Sequence, residues 1–145
     1  MKPLWGLAWI TLVGAMLIVA AAPGAPTQSR EETELRRLTA CYARELGVTP
    51  RWSLNVLVVE DTLLLAYGMT ISNSIKLESE TTYNLFTIRR DQKLLWEIAL
   101  HEVLHSATGE LMGLAWAFSP DMASVESERL VRQVVRWPWW GKLCR

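Results

Sequence analysis

The sequence predicts an α+β domain in which helices cover one face of a small, largely antiparallel sheet. Three observations carry that expectation. Between Thr33 and Leu46, the residues Leu35, Leu38, Tyr42 and Leu46 recur at helical spacing with Arg and Glu between them. Several β-branched and aromatic runs lie between Trp52 and Ile88. From Leu94 onward the apolar pattern returns to a helical period, once up to Ala107 and again from Ser119 to Trp137. The implied order is helix, three or four strands, central helix, final helix.

The chain has 145 residues, half of them hydrophobic, which suits one globular domain behind a hydrophobic leader. Fifteen basic and fifteen acidic residues give no electrostatic footprint for nucleic acid. Residues 1–25 read as a signal peptide or membrane anchor, with a short linker to 29, and residues 30–145 as the domain. The stretch Leu4–Ala22 carries no charge and follows only Lys2 and the amino terminus. Its length approaches the ~20 residues that span a bilayer and exceeds the usual signal-peptide core. An exported domain, secreted or held by residues 4–22, is expected; the alternative is an anchored domain facing the cytoplasm.

Within the domain, Gly47 is expected to stop the first helix. Trp52–Val59 reads as a strand buried on both faces, and Leu63–Ile71 as a second strand with a bulge at Gly68. Ser72-Asn73-Ser74 reads as a turn. Of Ile75–Glu80 and Tyr83–Ile88, at least one is a strand. Asp91 is placed to cap the central helix, Gly109 to end it, and Glu110–Phe118 to form a packed loop. Ser119-Pro120 opens the last helix and Pro138 closes it. The tryptophans of Trp137-Pro138-Trp139-Trp140 are expected to cover the core, the alternative being a membrane interface. Cys41 and Cys144 pair if the domain is exported and stay free if it is cytosolic.

The chemistry concentrates in His101-Glu102-Val103-Leu104-His105, which holds every histidine of the chain. Residues four apart on a helix share one face, so both imidazoles can reach a single Zn²⁺. Glu102 sits about 100° round the helix, still on the side of the ion, where its carboxylate can take a proton from an activated water. A catalytic zinc needs a third protein ligand, and with no other histidine it must be a carboxylate or sulfur. Glu110 and Asp121 fall in expected loops, without fixed direction. On the final helix, Leu130, Val131, Val134 and Val135 mark the buried face and leave Glu126 and Glu128 at its two edges. Glu128 has Arg132 one turn later, as a solvent-side pair would. Glu126 has apolar neighbours there and Trp137 near its own angle, so Glu126 is the expected ligand and Glu128 the alternative.

With the motif and a helix bearing Glu126-Ser127 about twenty residues on, the chain resembles the gluzincin pattern of zinc metallopeptidases. In size and element order it is similar to the minimal zincins, including ImmA/IrrE-type peptidases and compact phage-encoded HExxH proteins. The resemblance implies His101, His105 and a downstream glutamate on zinc, Glu102 as general base, and a peptide or protein substrate. The metzincin pattern is excluded, because Thr108 and Leu111 stand where it needs glycine and histidine. For the group's transition-state stabiliser, Tyr83 and Arg129 are the candidates. The rival function is a membrane-anchored interaction protein with a structural, non-catalytic zinc site.

Overall fold

A computed structural model describes residues 28–144; the leader, whether signal or anchor, lies outside the described residues. Helix α1 spans Arg30–Glu45, and three strands follow: β1 at Ser53–Val59, β2 at Gly68–Asn73 and β3 at Glu78–Asn84. Four helices complete the order: α2 at Leu85–Arg90, α3 at Leu95–Phe118, α4 at Pro120–Val135 and α5 at Trp140–Leu143. The architecture is α+β, as expected. Among the described residues no helix is long and apolar enough to cross a membrane.

The termini of α1 follow directly from its sequence. The Ser29 hydroxyl accepts from the Glu32 amide at 3.1 Å, and Glu31 and Glu32 sit in the first turn, where the helix dipole favours negative charge. At the other end Gly47 takes φ +68°, and the Val48 amide reaches back to the Ala43 carbonyl at 2.8 Å. That pair of features is a Schellman stop, which glycine adopts without steric cost. Leu35, Leu38, Tyr42 and Ala43 are buried.

The sheet differs from the largely antiparallel expectation. Its order is β1-β3-β2, with β1 parallel to β3 and β2 antiparallel to it. Hairpin partners β2 and β3 lie side by side, and the long segment after β1 carries the chain past the site that β3 later fills. Strand β1 is not buried on both faces: Ser53, Asn55 and Leu57 face outward, while Leu54, Val56 and Val58 are partly buried against the core. Arg36 of α1 donates to the Val56 carbonyl at 2.7 Å, which ties that helix to the strand. The β2–β3 register runs unbroken from Gly68 opposite Tyr83 to Asn73 opposite Glu78, so Gly68 makes no bulge.

The run Tyr83–Ile88 is interrupted by Asn84. Its fully buried side chain accepts from the Phe86 amide, caps α2, and donates to the Asp61 and Leu64 carbonyls. Tertiary hydrogen bonding thus converts a β-branched run into a helix start. Asp91 ends α2 instead of opening α3, whose first turn bonds back to the Leu94 carbonyl.

Helix α3 is the centre of the molecule. Ala99, Leu100 and Val103 are fully buried against α1, the sheet and α4, each large aliphatic among them contributing about 1.5–3 kcal/mol. Gly109 does not end the helix, and Glu110–Phe118, expected as a loop, continues it. What Gly109 provides is proximity: a Cβ there would lie 3.0 Å from the Trp52 ring and 3.2 Å from Ser72 Cβ. The sheet face beneath is small and hydroxylated. Thr70 meets Thr81 at 2.9 Å, Ser72 meets Ser79 at 3.1 Å, and Ser79 meets Ser106 of α3 at 2.7 Å. These pairs satisfy the buried hydroxyls while allowing the helix to approach closely.

Helix α4 lies against α3 through Ala123, Ser127, Val131 and Val135. Cys144 is disulfide-bonded to Cys41, which fastens the C-terminal segment to α1. The Tyr42 hydroxyl donates to the Trp140 carbonyl at 3.2 Å. The tryptophans divide: Trp140 is buried, while Trp137 and Trp139 are half exposed.

Candidate metal centre

His101 and His105 occupy successive turns of α3 and point the same way, with Nε2 atoms 3.2 Å apart. Glu128 of α4 presents Oε2 at 3.5 Å from His101 Nε2 and 3.3 Å from His105 Nε2. A tetrahedral zinc with bonds of about 2.0–2.1 Å separates its ligand atoms by about 3.3–3.4 Å. The three donor atoms therefore already stand at the edge lengths of such a tetrahedron, and among the described residues they form the one cluster able to hold a metal ion.

Glu126 does not reach the histidines. It is exposed and pairs with Arg129, 2.6 Å away and three residues on. The expectation favouring it went wrong at two residues. Leu130, counted as a core marker, is 40 % exposed, and Trp137 is 51 % exposed. With both set aside, the buried stripe Ala123–Ser127–Val131–Val135 turns the α4 face about 10° toward Glu128. The Arg132–Glu128 pair does exist, at 2.6 Å, but it uses Oε1 and leaves Oε2 for the histidines. One carboxylate serves both partners.

The surroundings prepare these groups for a cation. Burial lowers the pKa of both histidines, more than the adjacent Glu128 raises it, so their neutral forms prevail near pH 7. Burial also works to raise the Glu128 carboxyl, but Arg132 and the two histidines together outweigh it and hold it below the usual range. His105 Nδ1 lies 3.3 Å from the Ser127 hydroxyl. A proton on Nδ1 donated to that oxygen leaves the Nε2 lone pair free for metal. Ser127, buried on α4, went unrecognised as a site residue, although its position one turn before Val131 on the buried stripe was a readable signal.

Glu102 is 5 % exposed and lines the same cavity as the histidines and Glu128, a space of about 540 Å³. Burial pushes its carboxyl up to about 7, partly offset by Thr70, whose hydroxyl donates to Oε2 at 2.8 Å. Gly68 makes room for it: a Cβ on that strand residue would lie 2.8 Å from Glu102 Oε1. Neither proposed stabiliser reaches this cavity. Tyr83 is fully buried on Thr39, which it meets at 2.7 Å, and Arg129 is taken by Glu126. The cavity wall is instead cationic at Lys93, Arg132 and Arg136.

In comparisons with known proteins, the chain matches no family profile, no curated protein and no solved structure.

Proposed function

We propose that this protein is a zinc-dependent metallopeptidase of minimal zincin type, with His101, His105 and Glu128 as metal ligands and Glu102 as general base. The observation that carries the reading is the triangle of donor atoms at zinc-ligand spacing, beside a carboxyl whose pKa sits at about 7. Zinc, when bound, polarises a peptide carbonyl and brings the pKa of a water to about 7. Glu102 suits the accompanying proton transfer, because an acid–base group works best when its pKa lies near the working pH. Thr70 fixes one of its oxygens, and Gly68 leaves space for the other. The outer edge of β2 carries no neighbouring strand among the described residues, and its first residue lines the cavity. An extended substrate backbone added there would bring a peptide bond to the site.

Export accompanies this reading. The Cys41–Cys144 disulfide suits an oxidising compartment, in keeping with the uncharged stretch Leu4–Ala22 behind Lys2. A second reading, a membrane-anchored interaction protein with a structural zinc site, is favoured by one observation: neither Tyr83 nor Arg129 reaches the cavity as a transition-state stabiliser. Metal analysis and turnover of Glu102→Gln separate the two. The peptidase reading expects stoichiometric zinc in both wild type and variant, with peptide cleavage lost only in the variant. Equal cleavage by both would refute it, and zinc binding without cleavage of any peptide by wild type would favour the structural role.

A further inference from the structure

Two of the cations lining the cavity are not used by the metal cluster. Arg132 is committed to Glu128, but Lys93 and Arg136, which also line the cavity, form no ion pair or side-chain hydrogen bond with any described residue. Lys93 lies with its ammonium 5.3 Å from the centre of the Tyr67 ring. The nearby Asp91 attracts it through space but makes no ion pair with it, its oxygens being held by Arg90 at 2.7 Å and by the Tyr67 hydroxyl at 2.8 Å. Arg136 caps the end of α4, one turn beyond Arg132. The acidic groups lining the cavity are Glu128 and Glu102, already assigned, and Glu97. Lys93 and Arg136 are thus two cavity cations with no ion-pair partner among the described residues, beside one carboxylate, Glu97, that the metal cluster and the general base do not use.

We propose that Lys93 and Arg136 form a carboxylate-recognition subsite that selects substrates bearing a negative charge near the scissile bond. The inference rests on the reading of the site as one that takes a peptide. A guanidinium offers two parallel N–H donors matched to a carboxylate, and the ammonium supplies a second, less directional contact. In a cavity of about 540 Å³ the charge must lie close to the reacting bond, within a residue or two of it. Such a carboxylate is an Asp or Glu side chain or the free C-terminus of a short peptide. Glu97 opposes it and sets how strict the selection is.

The test uses the full chain in detergent with zinc supplied. Peptide pairs differ only in Glu against Gln at one position, or in a free against an amidated C-terminus. Affinity is measured on Glu102→Gln, which does not turn the peptides over, and kcat/KM on the wild type. One arm is expected to show the charged member bound at least tenfold tighter, and which arm does so identifies the source of the carboxylate. Arg136→Ala and Lys93→Ala each close most of that gap, Arg136→Lys keeps much of it, and Glu97→Gln widens it. Arg136→Glu reverses the preference, which loss of a merely structural contact would not do. The proposal is overturned if charged and neutral peptides bind alike or not at all, or if the gap survives Arg136→Glu. Cleavage without a charge preference would sink this inference and spare the peptidase reading. A charge preference in binding without cleavage by wild type would do the opposite.

Discussion

Replacing Glu102 by Gln should stabilise the metal-free protein at alkaline pH and leave it nearly unchanged in acid. The carboxyl is 5 % exposed, and burial raises its pKa from 4.5 to about 7. A raised carboxyl pKa means that the folded state holds the proton more tightly than the unfolded chain. The folded state is then unpenalised below 4.5, loses stability as pH rises through the interval, and bears the full cost above about 7. At about 1.4 kcal/mol per pKa unit, that cost is roughly 3 kcal/mol. Glutamine keeps an oxygen for the Thr70 hydroxyl and removes the charge. The depressed histidines titrate in both proteins, so their contribution largely cancels in the difference. Urea unfolding followed by far-ultraviolet circular dichroism, in EDTA with the disulfide intact, measures the difference on chains lacking residues 1–25. Near pH 4 the two midpoints should nearly coincide, and at pH 8.5 the variant should be more stable by roughly 3 kcal/mol. Saturating zinc should shrink the gap, because the ion's charge favours ionised Glu102. A difference that does not change between these pH values would refute the assignment of a buried, titrating carboxyl.

Other consequences can be checked separately. Glu128→Ala should abolish zinc retention on dialysis, whereas Glu126→Ala should retain it; the reverse pattern by metal analysis would reassign the third ligand. Ser127→Ala, which frees the His105 ring, should weaken zinc about 10–100-fold in a chelator competition without changing the far-ultraviolet spectrum. Gly68→Ala forces a methyl onto the Glu102 carboxylate, so cleavage should fall by tenfold or more while zinc stays bound. Cys144→Ser should cost about 2–5 kcal/mol in urea unfolding, since the native bridge closes a loop of 103 residues.

Local chemistry was legible in the sequence and pairing geometry was not. Ser29 and Gly47 bound α1 because capping depends on a few adjacent residues, and the histidines share a face because helical spacing alone puts them there. The position of Glu102 beside them needed nothing further. The parallel β1–β3 pairing depends on which strand fills the middle of the sheet, and no run of residues encodes that locally. Asn84 belongs to the same class. Its side chain is held for capping α2 by carbonyls 20 and 23 residues away, so the β-branched run around it reads as strand.

The third ligand exposes the limit of wheel reasoning most clearly. On a helical wheel an ion pair one turn away marks a solvent-facing glutamate, and the pair is real. A carboxylate has two oxygens, however, and Arg132 holds Oε1 while Oε2 meets both histidines. The arginine therefore acts on the cluster instead of competing with it: it keeps Glu128 ionised and fixes its rotamer before any cation arrives. Ser127 fixes the His105 ring in the same way from the neighbouring position on α4. Two consecutive residues of one helix thus serve the site together, one as a donor atom and the other as the support of a donor on α3. On the proposed zinc reading, register between α3 and α4 would consequently govern metal affinity. Substitutions at Val131 or Val135 that shift α4 along α3 should weaken zinc binding although neither side chain belongs to the ligand triangle.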